Sequence, residues 1–297
     1  MKAENLNGAP VSTPQPVTRN QRNPWRRLLK VTRKLLFPTL GLVGIIVVWQ
    51  LAVSATHTPS YIFPTPGEVI QATRNEPGLL WSSVVVTAQT AALGLAIAIV
   101  SGCLIAVLLG LSPALERTLF PYAVIIQTTP TVAVAPIVVI VLGPNTGSLV
   151  VLVVLISFFP MLSNTLVGLN SVDPDLRGVF YLYRSSRMKT LLKLRLPNSV
   201  PYIVSGLKVA SGLSVIGAIV GEYVAGVGGA QGGLGYLLGV AASQLNTAYL
   251  VATALAGSLM GLLFFGVVAV VSRLLLTWHD PGATREVKGG KVAQLPV

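Results

Sequence analysis

Long apolar runs with almost no charge dominate this chain, and short polar stretches separate them. Between Gly78 and Val172 the only charged residues are the adjacent Glu116 and Arg117. Each apolar run meets or approaches the ~20 residues that cross a bilayer as a helix. Six spans are predicted, over residues 37–55, 84–111, 119–142, 147–169, 203–224 and 249–276. Pro130 and Pro136 interrupt the third, and Pro160 lies inside the fourth. In the loop after the first span, Pro64 and Pro66 hold the chain extended, and a short helix is predicted over 67–75. The fold class that follows is all-α: a polytopic membrane protein of six transmembrane helices.

One stretch breaks the pattern. Residues 172–201 have soluble-protein character, with six basic residues (Arg177, Arg184, Arg187, Lys189, Lys193, Arg195) and two acids. Their apolar positions recur at helical spacing: Leu176, Val179, Phe180 and Tyr183, then Leu191, Leu192 and Leu194. A pair of short amphipathic helices is predicted, suited to docking on another protein. Asp173 caps the first helix, Asp175 lies in its first turn, and Pro174 occupies its first position.

Composition agrees. Mean hydropathy is +0.74, and 10% of the 297 residues are charged, against about 25% in soluble domains. The chain divides into an arm (1–36, read as disordered, then basic), a membrane body (37–277) that carries the 172–201 loop, and a tail (278–297). Val53-Ser54-Ala55 fits a signal cleavage site, but the apolar run before it exceeds the ~7–15 residues of a signal core. The net charge of +12 does not point to nucleic acid, because the basic residues flank spans and have no aromatic interleaving.

Charge also sets orientation. The arm carries eight basic residues, the 172–201 loop six and the tail after Leu276 three. The loops after spans 1, 3 and 5 share only Arg74. Positive flanks mark the cytoplasmic side, so both termini and the 172–201 loop are expected in the cytoplasm.

No catalytic or metal constellation is visible. There is no phosphate loop of the Gly-Lys-Ser/Thr type, and His57 and His279 lie in different loops, far from Cys103. No cofactor is expected. Within the spans, Gln127-Thr128-Thr129-Pro130 frees backbone groups at membrane depth. Two readings stand: a broken helix lining a transport route, or a kink that serves packing. Ser211, Ser214 and Glu222 share one face of span 5, and Ser157 and Asn164 share one of span 4. An ionisable residue such as Glu222 is a candidate for function, or a carboxylate sitting in water at the outer end. The spacings Gly217-xxx-Gly221 and Gly257-xxx-Gly261 are read as close packing within one subunit. The glycine run 226–235 is read as a flexible or tightly turned external loop.

Five features together resemble the permease subunits of bacterial ATP-binding-cassette importers that work with a binding protein. They are Phe63-Pro64-Thr65-Pro66, Gln127-Thr128-Thr129-Pro130 with Ala135-Pro136, Phe158-Phe159-Pro160 with Asn164-Thr165, the loop from Asp173 to Pro201, and Glu222 followed by Gly233-Leu234-Gly235-Tyr236. The branch is that of nitrate, sulfonate, taurine and bicarbonate importers, which includes importers of thiamine-precursor pyrimidines and riboflavin. The resemblance implies a homodimeric pore in lipid, separate ATPase subunits that bind the ATP, and a soluble binding protein.

It also implies roles. Gln127, Thr128, Thr129, Pro130, Ser157, Asn164, Ser211, Ser214 and Glu222 are the expected substrate pathway. Asp173, Asp175, Leu176, Phe180, Arg184, Leu191, Leu192, Leu194 and Pro197 are the expected ATPase coupling surface. Leu196-Pro197 matches the end of the family's loop signature, whereas Arg184 stands where the family has a glycine. Either the turn there is built around Ser185-Ser186, or docking is weakened. No basic residue lies deep in spans 2 to 6, so a largely neutral organic solute is expected over nitrate or bicarbonate. The competing classes are a secondary transporter or a channel, neither coupled to an ATPase, and an intramembrane enzyme, which would need a nucleophile–base pair that is not visible.

Overall fold

The computed structural model describes residues 24–56, 58–226 and 232–275, by side chain as well as backbone except at 24–35, 38 and 275. The expected arm before 24, the tail from 276 and residues 227–231 of the glycine run lie outside the described residues. The chain falls into two units, Met1–Thr56 and His57–Val297. In the first, α1 (Pro24–Thr56) holds an apolar stretch over Thr39–Thr56 of hydropathy 1.9.

The second unit opens with α2 (Pro66–Asn75). Thr65 and Glu68 cap each other's backbone N–H groups there, as Pro at the first position also favours. Then come α3 (Pro77–Leu111), α4 (Pro113–Thr128), α5 (Thr131–Leu142) and α6 (Thr146–Asn170). The charged loop holds α7 (Pro174–Leu182) and α8 (Arg187–Thr190). A π-helical stretch, Leu191–Arg195, leads into α9 (Leu196–Ala225), and α10 (Leu234–Ser243) and α11 (Thr247–Leu275) follow.

Among the described residues, five helices are long and apolar enough to cross a membrane, or six if α4 and α5 form one broken span. That matches six predicted spans. The broken pair bends by 94° at Thr129-Pro130, because Pro130 lacks an N–H and forces the preceding residue out of the α region.

The middle of the unit is a three-helix sandwich, with α6 between α3 and α9. Small residues bring the backbones together. A Cβ at Gly102 would stand 2.7 Å from that of Met161, and one at Gly206 would stand 2.9 Å from the Pro160 carbonyl. Gly217 packs on Val153 and Gly257 on Ile219, so both glycine spacings serve packing inside one chain. Leu152, Val153, Met161 and Leu162 of α6 are fully or almost fully buried.

Two elements depart from the sequence reading. α10 stands where only a loop was read. The second docking helix is not separate from span 5, because α8, the π stretch and α9 run on as one continuous rod, Arg187–Ala225. Pro197 explains the π stretch. Its ring would crowd the carbonyl of Lys193 in an ordinary turn, and the wider turn, in which Leu196 N–H bonds to the Leu191 carbonyl, lets the helix continue.

Candidate functional site

The loop side of the molecule is built from α7 outward. The Asp173 carboxylate accepts the Asp175 N–H at 2.8 Å, capping α7 as expected. α7 ends in a Schellman pattern: Ser185 N–H reaches the Phe180 carbonyl at 3.0 Å, and Arg184 N–H the Tyr181 carbonyl at 2.9 Å. The residue that must turn left-handed in this motif is Arg184, with φ of 47°. The turn is therefore not rebuilt around Ser185-Ser186. Arg184 accepts the strained conformation that the family glycine would occupy freely.

The apolar residues of this loop divide by exposure. Tyr181, Leu182 and Tyr183 are 84, 81 and 82% exposed, and Leu176 and Leu192 are about half exposed. Leu191 is buried in its own chain, and Phe180, Leu194 and Pro197 are half-buried. Leu191 is therefore corrected from a docking residue to an anchor of the loop. Tyr181, Leu182 and Met188 were not singled out from the sequence. The helical period placed Leu176 and Phe180 on the docking face, and the abrupt end of α7 leaves Tyr181 and Leu182 exposed as well.

At the bend, Gln127, Thr128, Thr129 and Pro130 are all exposed. Thr128 and Thr129 turn their hydroxyls back onto the Ile125 carbonyl, at 3.0 and 2.9 Å, so their polar ends are tied to the last turn of α4. A recess of about 400 Å3 opens beside them, lined by Gln127, Thr129, Thr131, Ile156 and Leu213. Pro160 adds to its polarity, since it has no N–H for the Ile156 carbonyl.

The other expected pathway residues lie elsewhere. Ser157, Ser211 and Ser214 are fully buried between α6 and α9 and donate to carbonyls of α9. Asn164 is half-buried and bonds back to the Pro160 carbonyl at 2.9 Å. Of these four only Ser157 bonds across to another helix, the other three bond within their own, and none lines the recess at the bend.

Glu222 is 1% exposed, so it does not sit in water. Its carboxylate accepts the Thr87 hydroxyl at 2.8 Å and the Gly235 N–H at 3.0 Å. Thr87 in turn accepts the Leu234 N–H at 2.8 Å, and the Ser83 hydroxyl donates to the Gly232 carbonyl at 2.7 Å. Leu234 and Gly235 open α10, and Gly233 before them has no side chain to cap the helix. Thr87 of α3 and Glu222 of α9 supply the missing acceptors from a distance, and the carboxylate suits a helix N-terminus. Gly233 and Gly235 are required by contact. A Cβ on Gly233 would collide with the Glu222 carboxylate, and one on Gly235 with the Ile219 carbonyl. The other oxygen, Oε1, is buried without a hydrogen-bond partner among the described residues.

Comparison with known proteins gives this arrangement its context. Residues 98–285 match the family described as binding-protein-dependent transport system inner membrane component. The chain is 32% identical over 252 residues to the formylaminopyrimidine transport permease protein ThiX of Halalkalibacterium halodurans, covering 84% of this chain and 99% of that one. It is 30% identical over 251 residues to the riboflavin transport system permease protein RibX of Chloroflexus aurantiacus, covering 82% and 91%. A putative aliphatic sulfonates transport permease protein, SsuC of Bacillus subtilis, is 27% identical over 282 residues, covering 94% and 98%. The crystal structure of an amino acid ABC transporter with histidines shares the fold, at a TM-score of 0.54 and 17% identity, over 69% of this chain and 97% of that one. With its apolar helices, its broken span and its exposed loop, this chain belongs to the inner membrane permease family of binding-protein-dependent ABC importers.

Proposed function

We propose that this chain forms, as a homodimer, the substrate pathway of an ATP-driven importer and takes its power stroke through α7 and α8. The observation that carries the reading is the uncovered apolar tip Tyr181-Leu182-Tyr183, with Leu192 on the same loop. The turn at Arg184, Ser185 and Ser186 joins this tip to the rod Arg187–Ala225, and Leu192 stands on the rod itself. Large apolar side chains on a polar loop are stabilised by a partner, and a groove on an ATPase subunit is the occupant that the family implies. A push on α8 travels into the membrane without crossing a flexible joint, because the rod Arg187–Ala225 has no break.

The recess beside Gln127 and Thr129 is the proposed place where solute passes. Polar side chains and freed carbonyls offer hydrogen bonds there, and no charged residue lines it. That supports a small, largely neutral organic solute, in the class of pyrimidines or flavins, over sulfonate, nitrate or bicarbonate. A soluble binding protein would deliver it on the outer side. Both termini and the α7–α8 loop would lie in the cytoplasm, by the excess of Lys and Arg at those places.

The test is co-purification with an ATP-binding-cassette ATPase encoded beside this chain, comparing wild type with Leu192→Asp. Loss of the ATPase from the variant, with the membrane body still folded, supports the reading. Retention of the ATPase overturns it and leaves a secondary transporter or channel.

A further inference from the structure

Arg195 closes the π stretch, and its guanidinium bonds to two other helices. Nε donates to the Leu169 carbonyl at 2.8 Å, Nη1 to the Gly110 carbonyl at 2.5 Å, and Nη2 to the Asn170 side-chain oxygen at 2.6 Å. Leu169 and Asn170 are the last residues of α6, and Gly110 lies in the last turn of α3. The Asn170 amide then donates to the Glu116 carboxylate in the first turn of α4, at 3.1 and 3.3 Å.

The chemistry suits the place. The last carbonyls of a helix have no partner within it and carry partial negative charge, so a cation is favoured there. A planar guanidinium can serve three acceptors held in different directions, which a lysine ammonium on a flexible stem does not reproduce. Gly110 leaves the room, since a Cβ there would stand 3.5 Å from Arg195 Nη2 and 3.2 Å from Leu169.

The position matters as much as the bonds. Arg195 sits where the docking segment becomes the membrane rod, at the one π turn among the described residues. The helix it reaches through Asn170 and Glu116 is α4, whose other end is the bend at Thr129-Pro130. We infer that Arg195 is a positioning residue that locks the docking segment to the loop-side ends of α3, α4 and α6, so that movement of α8 reaches the bend. This rests on the ATP-coupled reading and adds to it the part that carries the movement.

The test uses the complex of this chain with its ATPase in lipid nanodiscs. Cys103 is replaced by alanine and Gln127 by cysteine, and a polar maleimide reports access to the bend with and without ATP and vanadate. With Arg195 in place, labelling changes on nucleotide trapping. In Arg195→Gln the ATPase stays bound and hydrolyses ATP, while the nucleotide-dependent change in labelling falls about fivefold. Arg195→Lys recovers part of it. Asn170→Leu, which cuts only the branch to α4, gives a loss in the same direction and serves if Arg195→Gln does not fold. Nucleotide-dependent labelling that is unchanged in Arg195→Gln and Asn170→Leu overturns the inference. If labelling does not respond to nucleotide even with Arg195 present, the underlying reading fails instead.

Discussion

Replacing Glu222 by alanine should loosen the junction of α3, α9 and α10 by an amount that the structure sets. The carboxylate is the acceptor for both the Thr87 hydroxyl and the Gly235 N–H, and it is 1% exposed. Alanine leaves the Gly235 N–H at the start of α10 without a partner, in a place that water does not reach. A buried donor left unsatisfied costs about 1–3 kcal/mol. Loss of a helix cap costs about 1 kcal/mol when measured alone, and part of that is the same bond. Thr87 keeps the Leu234 N–H but loses its own acceptor. A total of about 2–4 kcal/mol is expected, or a melting temperature roughly 5–15 °C lower for a body of this size. Glu222→Gln retains the acceptor, and its amide nitrogen would take the place of the unpartnered Oε1. It should cost about 1 kcal/mol. The assay is thermal unfolding of the purified chain in detergent, with both variants beside wild type. The reasoning is refuted if alanine melts with wild type, or if glutamine falls as far as alanine.

Other substitutions test separate parts of the account. Arg184→Gly should stabilise the loop by about 0.5–1 kcal/mol, because glycine takes a left-handed φ without strain, and the melting temperature of the isolated chain checks it. Leu191→Asp and Leu192→Asp should differ in kind. The first puts a charge at a buried position and should lower the melting temperature, while the second changes an exposed residue and should only release the ATPase. Gly206→Ala should cost about 1–3 kcal/mol, because the new Cβ would stand 2.9 Å from the Pro160 carbonyl and from the Asn164 side chain. A chain that melts like wild type would show that α6 and α9 separate more easily than their packing implies.

The charge-free runs made the spans legible, since almost nothing but a bilayer explains residues 78–172. The bend was legible too, because Pro130 after two threonines frees backbone that only a cavity or hydroxyls can satisfy. α10 was not. Five glycines before it read as loop, and ten apolar residues are too few for a span. Its N-terminus is capped from α3 and α9, 147 and 13 residues away in sequence, so no local signal announces it. The same holds for Glu222. The sequence placed an acid near the outer end of a span, and only tertiary packing shows which backbone it serves. The continuity of α8 with α9 was hidden by Pro197 and Pro201, which ordinarily end helices, and by a π turn that has no sequence signature. The left-handed turn at Arg184 was half legible: the family's glycine marked the place, and the structure keeps the geometry without the glycine.

The central claim is that ATP moves this chain through its α7–α8 loop. It is tested most directly by spin labels on Leu182→Cys, in a Cys103→Ala background, in the complex with the ATPase in nanodiscs. Leu182 is 81% exposed, so a label there disturbs no packing within the chain. The account predicts one distance between the labels of the two copies, which shortens when ATP and vanadate trap the ATPases closed. A distance that stays the same with nucleotide, or no pair of labels within range at all, would contradict it.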